Sequence, residues 1–202
     1  MSAIRTAMKS TLRILLLTLG LALAHASAGE KYSIDPVHST VGFKVKHLFS
    51  YVSGRFDDVK GTIDVDPAMP ENSSVEVKIA TKSINTANEK RDTHLRSPDF
   101  FNVEKFPEMT FKSKKVTRTG DKTADVVGDF TLHGVTKEVT LKTTFLGKGK
   151  GMTGSVQTGW EAKTTIKRAD FGLVWSKLIE GVQVVGDDVE IELLIEAPAA
   201  KA

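Results

Sequence analysis

The feature that most constrains the fold is an alternation of apolar and polar residues, with a period of two, along most of the chain. Successive side chains of a β-strand point to opposite faces of a sheet, so this period predicts strands with one buried and one solvated face. The alternation therefore predicts an all-β fold of about eight antiparallel strands. The segments that carry it are 41–47, 59–65, 75–79, 109–113, 126–132, 139–145, 156–166 and 189–195.

The residues between these segments predict short connections. Thr119-Gly120-Asp121 predicts a turn, and His133-Gly134 predicts a two-residue hairpin loop of the primed type, which favours glycine. The alternating glycines and lysines of residues 147–151 predict a flexible, solvated hairpin tip.

The number and length of the strands favour a closed barrel over a sandwich, because closure leaves no unpaired sheet edge. An eight-stranded barrel has either a packed interior or room for one small ligand. The inward positions mix large and small side chains, which could interlock into a solid core or leave an apolar tunnel, and the sequence leaves both open. The large ones are Phe43, Phe111, Phe130, Phe145 and Trp160, and the small ones are Gly61, Gly128, Ala162 and Thr164.

The segment 86–103 predicts the single helix of the chain. Thr86 followed by Glu89 matches a capping box, and Ser97-Pro98 predicts the end of the helix. Its apolar stripe is too narrow for a core helix, so we interpret the segment as a lid at the mouth of the barrel. A crossover helix that seals a sheet edge explains the pattern equally well. Two adjacent aromatic residues follow, Phe100 and Phe101.

The first 28 residues have the composition of an export signal. Basic residues introduce an apolar run that is too short for a transmembrane helix, and Ala26 and Ala28 offer two cleavage sites. We therefore expect a signal peptide at 1–28, one barrel domain at 29–202, and a periplasmic location, with secretion from the cell as the lesser alternative.

The charge and the residue types exclude several functions. The chain has 28 Lys and Arg against 25 Asp and Glu, and the three extra basic residues lie in the signal, so the remainder is neutral. We therefore expect no nucleic-acid partner. The absence of cysteine, the wide spacing of the histidines and the lack of a G-x-S-x-G motif argue against a metal site, a cofactor and catalysis.

Several motifs occur in order along the chain, in segments 33–39, 53–56, 91–92, 96–101, 128–137, Arg168 with 170–172, and 185–189. These segments resemble those of the YceI-like proteins, and the resemblance covers essentially all of residues 29–202. It implies an extended lipocalin-like barrel of eight antiparallel strands with one short helix near the mouth. It also implies binding of a polyisoprenoid or similar long-chain amphiphilic lipid, with a quinone among the candidates. A homodimer and a membrane-protein partner stay open.

The predicted binding residues face the barrel interior or lie near its mouth. The apolar candidates are Phe43, Val45, Phe100, Phe101, Phe111, Phe130, Trp160, Phe171 and Trp175. The candidates for contact with a polar head group are His47, Arg91 and Arg168. For both arginines, pairing with Asp92, Asp99 or Asp170 to hold loops is the alternative, and His47 could be a rim residue without a ligand. A stress-related interaction protein with a filled barrel, and an enzyme on the barrel, are the competing functions.

Overall fold

The computed structural model describes residues 29–152, 154–179 and 181–200, and the predicted signal peptide lies outside these residues. They contain thirteen strands and one α-helix, α1 (Glu89–Arg96). None of their helices is long and apolar enough to cross a membrane. The strands are β1 (Glu30–Ser33), β2 (Thr40–His47), β3 (Ser50–Phe56), β4 (Val59–Val65), β5 (Ser74–Ala80), β6 (Ile84–Asn85), β7 (Glu108–Arg118), β8 (Thr123–Leu132), β9 (Val135–Lys150), β10 (Val156–Lys167), β11 (Leu178–Ile179), β12 (Val182–Gln183) and β13 (Val185–Pro198).

Eleven of these strands form one antiparallel sheet in the order β1-β4-β5-β7-β8-β9-β10-β13-β2-β3-β6, and β11 pairs with β12. The sheet curls until its first strand meets the chain that follows β13. Tyr32 of β1 forms a bridge with Ala199, and the amide of Ala200 donates to the carbonyl of Lys31 at 2.8 Å. The predicted all-β, barrel-like fold with one helix is confirmed, although the strand count is higher than eight.

Strand β3 is not predicted by the alternation because one of its inward positions is glycine, which interrupts the apolar pattern. A Cβ on Gly54 would lie 2.5 Å from Cζ of Phe43, so the phenyl ring of β2 occupies the space that a side chain of β3 would fill. Strands β1 and β6 are not predicted either, because four and two residues are too few to show a period.

The predicted flexible tip at residues 147–151 is wrong for most of its length. Gly147 and Gly149 belong to β9 and lie opposite Gly159 and Gln157 of β10, and the chain turns only after Lys150. The strand continues because ladder hydrogen bonds use the backbone and need no side chain. By contrast, the predicted loop at His133-Gly134 is confirmed, with positive φ angles of 52° and 76°.

The helix begins later than the capping box predicts. Its N-cap is Asn88, whose side chain accepts a hydrogen bond from the amide of Arg91 at 3.0 Å. Thr86 is buried instead, and its amide and hydroxyl both donate to the carboxylate of Asp92. The predicted box is therefore wrong, because two polar residues compete for the cap and tertiary contacts bury the first. The helix ends at Arg96, before Ser97-Pro98, as predicted.

Candidate functional site

A cavity of about 640 Å³ lies inside the curled sheet. The inner faces of the long strands form its wall, and Leu95, Phe100 and Phe101 extend the wall from α1 and the segment after it. The volume lies within the range of about 300 to 1,000 Å³ that small-molecule sites occupy.

The exposure of inward side chains shows that this interior is hollow. Phe43 and Val45 of β2 and Val189 and Ile191 of β13 point into the cavity and are only half-buried, although neighbouring strands cover the backbone on both sides. A packed core would bury such side chains fully, because protein interiors are as dense as organic crystals. The structure therefore favours the tunnel over the solid interior.

The aromatic residues around α1 close one end of the cavity. Phe101 packs edge-on against Phe56 with ring centroids 5.6 Å apart, and Phe56 packs against Phe43 at 5.8 Å. Phe100 is buried as well and packs against His94 and Trp175. The helix and the two aromatic residues after it thus cover this end with apolar side chains.

The opposite end of the cavity has a polar rim that no sequence pattern predicts. Nζ of Lys148 lies 2.6 Å from Oε2 of Glu30, and the hydroxyl of Tyr32 donates to the same oxygen. The hydrogen bonds from Lys148 and then Tyr32 hold the pKa of Glu30 below its ordinary value, and Glu30 raises the pKa of Lys148. Burial raises the pKa of Tyr32. β1 and β9 are far apart in the sequence and come together only in the folded structure, so no sequence pattern predicts the rim.

The turn between β7 and β8 completes this rim. Arg118 donates to the carbonyl of Gly120 at 2.9 Å and lies 3.5 Å from Asp121, and Lys122 follows on the cavity wall. The carbonyl of Lys122 accepts from the amide of Phe145, whose ring packs on Trp160 at 4.7 Å. Exposed charged groups therefore lie directly beside an aromatic wall at this end of the cavity.

Eight of the twelve predicted binding residues line the cavity, and four do not. Those on the wall are Phe43, Val45, Phe100, Phe101, Phe111, Phe130, Trp160 and Arg168. Those absent from it are His47, Arg91, Phe171 and Trp175. The alternation of apolar and polar residues predicts most of the wall, because the face on which a strand residue lies depends only on its position along the strand.

Two aromatic candidates support the wall from behind. Phe171 is buried and packs against Phe130 with ring centroids 5.5 Å apart. Trp175 packs against Phe100 at 5.1 Å and against His94 at 5.4 Å. Both residues therefore hold lining side chains in place without reaching the cavity themselves.

Arg168 is buried, with 4% of its surface exposed, and its guanidinium is used by the loops around it. It donates to the carbonyls of Leu173 and Trp175 at 2.6 and 2.7 Å. It also donates to the carbonyls of Gly186 and Val185, and its ion pair is with Asp187 at 3.3 Å. The loop-holding alternative describes this residue well, although the partners are backbone carbonyls and Asp187 in place of Asp170.

Arg91 and His47 also lie away from the wall. Arg91 donates from Nε and Nη2 to the hydroxyl and the carbonyl of Thr86, at 2.7 and 2.8 Å, and so holds the segment before α1. His47 is half-buried at the last position of β2, opposite Ser50 and Val185. Neither residue is part of the cavity wall.

A curled antiparallel sheet that encloses an apolar cavity is the arrangement of the lipocalin-like barrel proteins. A sequence model of the YceI-like domain matches residues 32–197. The chain therefore belongs to the YceI-like family.

Relatives and solved structures agree with this assignment. A UPF0312 protein of Pseudomonas savastanoi pv. phaseolicola is 43% identical over 165 residues, which cover 78% of this chain and 86% of that protein. The crystal structure of a Campylobacter jejuni YceI protein is 35% identical, covers 77% of this chain and 90% of its own, and superposes with a TM-score of 0.68. A polyisoprenoid binding domain from Saccharophagus degradans shares the fold at 19% identity, with a TM-score of 0.62 and coverage of 84% and 98%.

Proposed function

We propose that the protein binds one long apolar chain of an amphiphilic lipid, of the polyisoprenoid class, inside the cavity. The observation that carries this proposal is the hollow interior, in which apolar side chains of β2 and β13 are left half-buried. Apolar surface that faces a cavity is stabilised when an apolar guest covers it. The polyisoprenoid binding domain from Saccharophagus degradans supports the ligand class through its shared fold.

The size of the cavity is consistent with useful affinity. At about 30 Å³ for a group the size of a water or methylene, 640 Å³ holds on the order of twenty carbon atoms. Burying about twenty methylenes at ~0.8 kcal/mol each gives roughly 16 kcal/mol of gross stabilisation. Lost freedom on association costs about 4 to 15 kcal/mol, so affinities near micromolar are within reach.

The two ends of the cavity predict the orientation of the ligand. The tail would extend toward α1, where Phe100 and Phe101 close an apolar end. The head group would lie at the polar rim, near Lys122 and the pair formed by Lys148 and Glu30. A quinone or a polyprenyl alcohol fits this arrangement, because each has a long tail and a small polar head that can hydrogen-bond at the rim.

We infer a carrier in preference to an enzyme. Two buried charged residues lie on the wall, Arg168 and Asp66, and both are used by the backbone around them. Arg168 donates to backbone carbonyls, and the carboxylate of Asp66 accepts from the amides of Ala68 and Met69. A general acid or base inside the cavity would need a titratable group that faces the ligand. The family and its solved structures also support binding.

The test of binding is native mass spectrometry of protein purified without detergent, followed by organic extraction. We expect a co-purified long-chain lipid, or uptake of an added polyprenyl alcohol with a stoichiometry of one. Protein that stays free of lipid in both experiments would overturn the proposal.

A matched pair of variants on β13 locates the binding site. Ile191→Trp places an indole in the cavity and should reduce lipid uptake at least about tenfold, because the ligand and the ring compete for the same volume. Leu194→Trp places the same ring on the outer face, where Leu194 is 45% exposed, and should leave uptake unchanged. Equal effects of the two variants would contradict a ligand inside the barrel.

We also propose that the carrier acts in the periplasm, between membranes or toward a membrane enzyme. The first 28 residues support this location through their signal-like composition. Cell fractionation should release the protein by osmotic shock, with an intact mass that lacks the first 26 or 28 residues. Full-length protein in the cytoplasm would contradict the location and leave the binding proposal standing.

A further inference from the structure

A cluster of three metal-binding side chains lies outside the cavity, where the turn after β1 meets the end of β13. Nδ1 of His38 lies 2.8 Å from Oδ2 of Asp35, and the carboxylate of Glu196 completes the group. The donor atoms of the three residues lie within 4.8 Å of one another. None of the three lines the cavity, so the cluster is separate from the proposed lipid site.

The backbone already holds these two segments together. The amide of Asp35 donates to the carbonyl of Glu196 at 2.9 Å. The hydroxyl of Ser39 donates to the same carbonyl at 3.2 Å and accepts from the amide of Glu196 at 3.1 Å. Side chains that start from a fixed backbone need little ordering to converge on an ion, which reduces the entropic cost of binding.

The distances are close to those that a divalent ion requires. In a tetrahedral site zinc binds imidazole nitrogen and carboxylate oxygen at about 2.0 to 2.2 Å, so two of its ligand atoms lie about 3.4 Å apart. Nδ1 of His38 and Oδ2 of Asp35 are 2.8 Å apart, so a shift of about 0.6 Å fits them to one ion. No two donor atoms of the group lie more than 4.8 Å apart, so side-chain rotations that move the third donor by no more than about 1.4 Å complete the set.

We propose that Asp35, His38 and Glu196 form a binding site for a divalent transition-metal ion, with zinc as the best fit. One imidazole and two carboxylates are a donor set that zinc accepts, and the exposed position of His38 leaves room for water as a further ligand. The two carboxylates provide the negative charge that compensates the ion. The wide spacing of the histidines conceals this site in the sequence, because Glu196 comes from the far end of the chain.

A second histidine–carboxylate pair shows why the third ligand matters. Nε2 of His94 lies 2.9 Å from Oδ2 of Asp99, nearly the same separation as in the first pair. Within the described part of the chain, only the Asp35 pair has a third metal-binding side chain in reach. The pair at His94 therefore serves as an internal control for an ordinary surface ion pair.

The site has a structural consequence. An ion held by Asp35, His38 and Glu196 would tie the turn after β1 to β13, close to the bridge between Tyr32 and Ala199 that closes the sheet. A ligand that binds only the folded state stabilises it in proportion to the logarithm of its concentration over Kd. Zinc should therefore raise the unfolding temperature of the protein.

The experiment uses the untagged chain, stripped with a chelator and then titrated with zinc chloride by calorimetry. We expect one zinc ion per chain and a higher midpoint of thermal unfolding when zinc is present. His38→Ala and Glu196→Gln should each weaken zinc binding at least about tenfold and abolish the rise in the midpoint. Circular dichroism without zinc checks that both variants fold, and Glu196→Gln keeps the side-chain volume.

The control variant His94→Ala should bind zinc as tightly as the unchanged protein. Failure to bind zinc at millimolar concentration would overturn the proposal, and so would equal losses in His38→Ala and His94→Ala. Lipid uptake is measured on the same samples, because loss of zinc binding with normal uptake separates this site from the proposed carrier function.

Discussion

Replacing the buried Arg168 distinguishes a residue that holds loops from one that binds a ligand head group. Its guanidinium donates to four carbonyl oxygens, those of Leu173, Trp175, Val185 and Gly186, at 2.6 to 3.3 Å, and pairs with Asp187. Arg168→Ala would leave these groups without a donor inside the protein. Each buried acceptor left unsatisfied costs about 1 to 3 kcal/mol, and the half-exposed Asp187 adds little, so losing several of these bonds at once costs about 3 to 5 kcal/mol.

We therefore expect Arg168→Ala to lower the free energy of unfolding by about 3 to 5 kcal/mol, measured by urea denaturation. For a domain of this size the loss corresponds to a midpoint roughly 6 to 20 °C lower. Arg168→Lys should recover only part of the stability, because an ammonium cannot reproduce the planar fork that reaches several carbonyls at once.

The neighbouring Lys167 provides the matched control. Its Nζ pairs with Asp188 at 3.1 Å on the surface, where the two side chains are 64% and 66% exposed. Lys167→Ala should change the free energy of unfolding by less than about 1 kcal/mol. The reasoning is refuted if Arg168→Ala costs less than about 1 kcal/mol while the folded variant loses lipid affinity, since that result would assign the guanidinium to the ligand.

Two further predictions concern the packing of β3 and the polar rim. Gly54→Ala should destabilise the protein by about 1 to 3 kcal/mol, because the added Cβ would meet the ring of Phe43. Gly149→Ala is the control and should not show this clash, because no atom lies within 4 Å of the new methyl group. Urea unfolding measures both variants. The pairing with Lys148 lowers the pKa of Glu30 below its ordinary value of 4.5, so the pair stabilises the protein at pH values above 4.5. This contribution is lost as the pH falls through the lower pKa of Glu30 in the folded state. Glu30→Gln should remove that part of the acid dependence, and an unchanged stability profile between pH 3 and 6 would contradict the pairing.

Much of the architecture can be predicted from the sequence because it depends on local properties. The face of a strand on which a side chain lies follows from its parity, so the alternation alone is enough to place Phe111, Phe130 and Trp160 on the wall. The hairpin at His133-Gly134 is predictable for the same reason, because a primed turn needs positive φ within two residues.

The roles of the two predicted head-group arginines depend on loop conformations that the sequence pattern does not specify. Arg91 and Arg168 carry charge that a head group could use, but backbone carbonyls and Thr86 take up their donors once the loops fold. The rim formed by Glu30 and Lys148 has no signal in the sequence because its strands are far apart in the chain.

Parity by itself determined which side chains of this protein point inward. Only the tertiary structure decided that they leave a hollow, because a cavity depends on how far the sheet curls before its edges meet, and that distance is set by pairings such as Tyr32 with Ala199. The same closure brings Asp35 and His38 to Glu196. Groups that lie at opposite ends of the chain leave no periodic signal in the sequence.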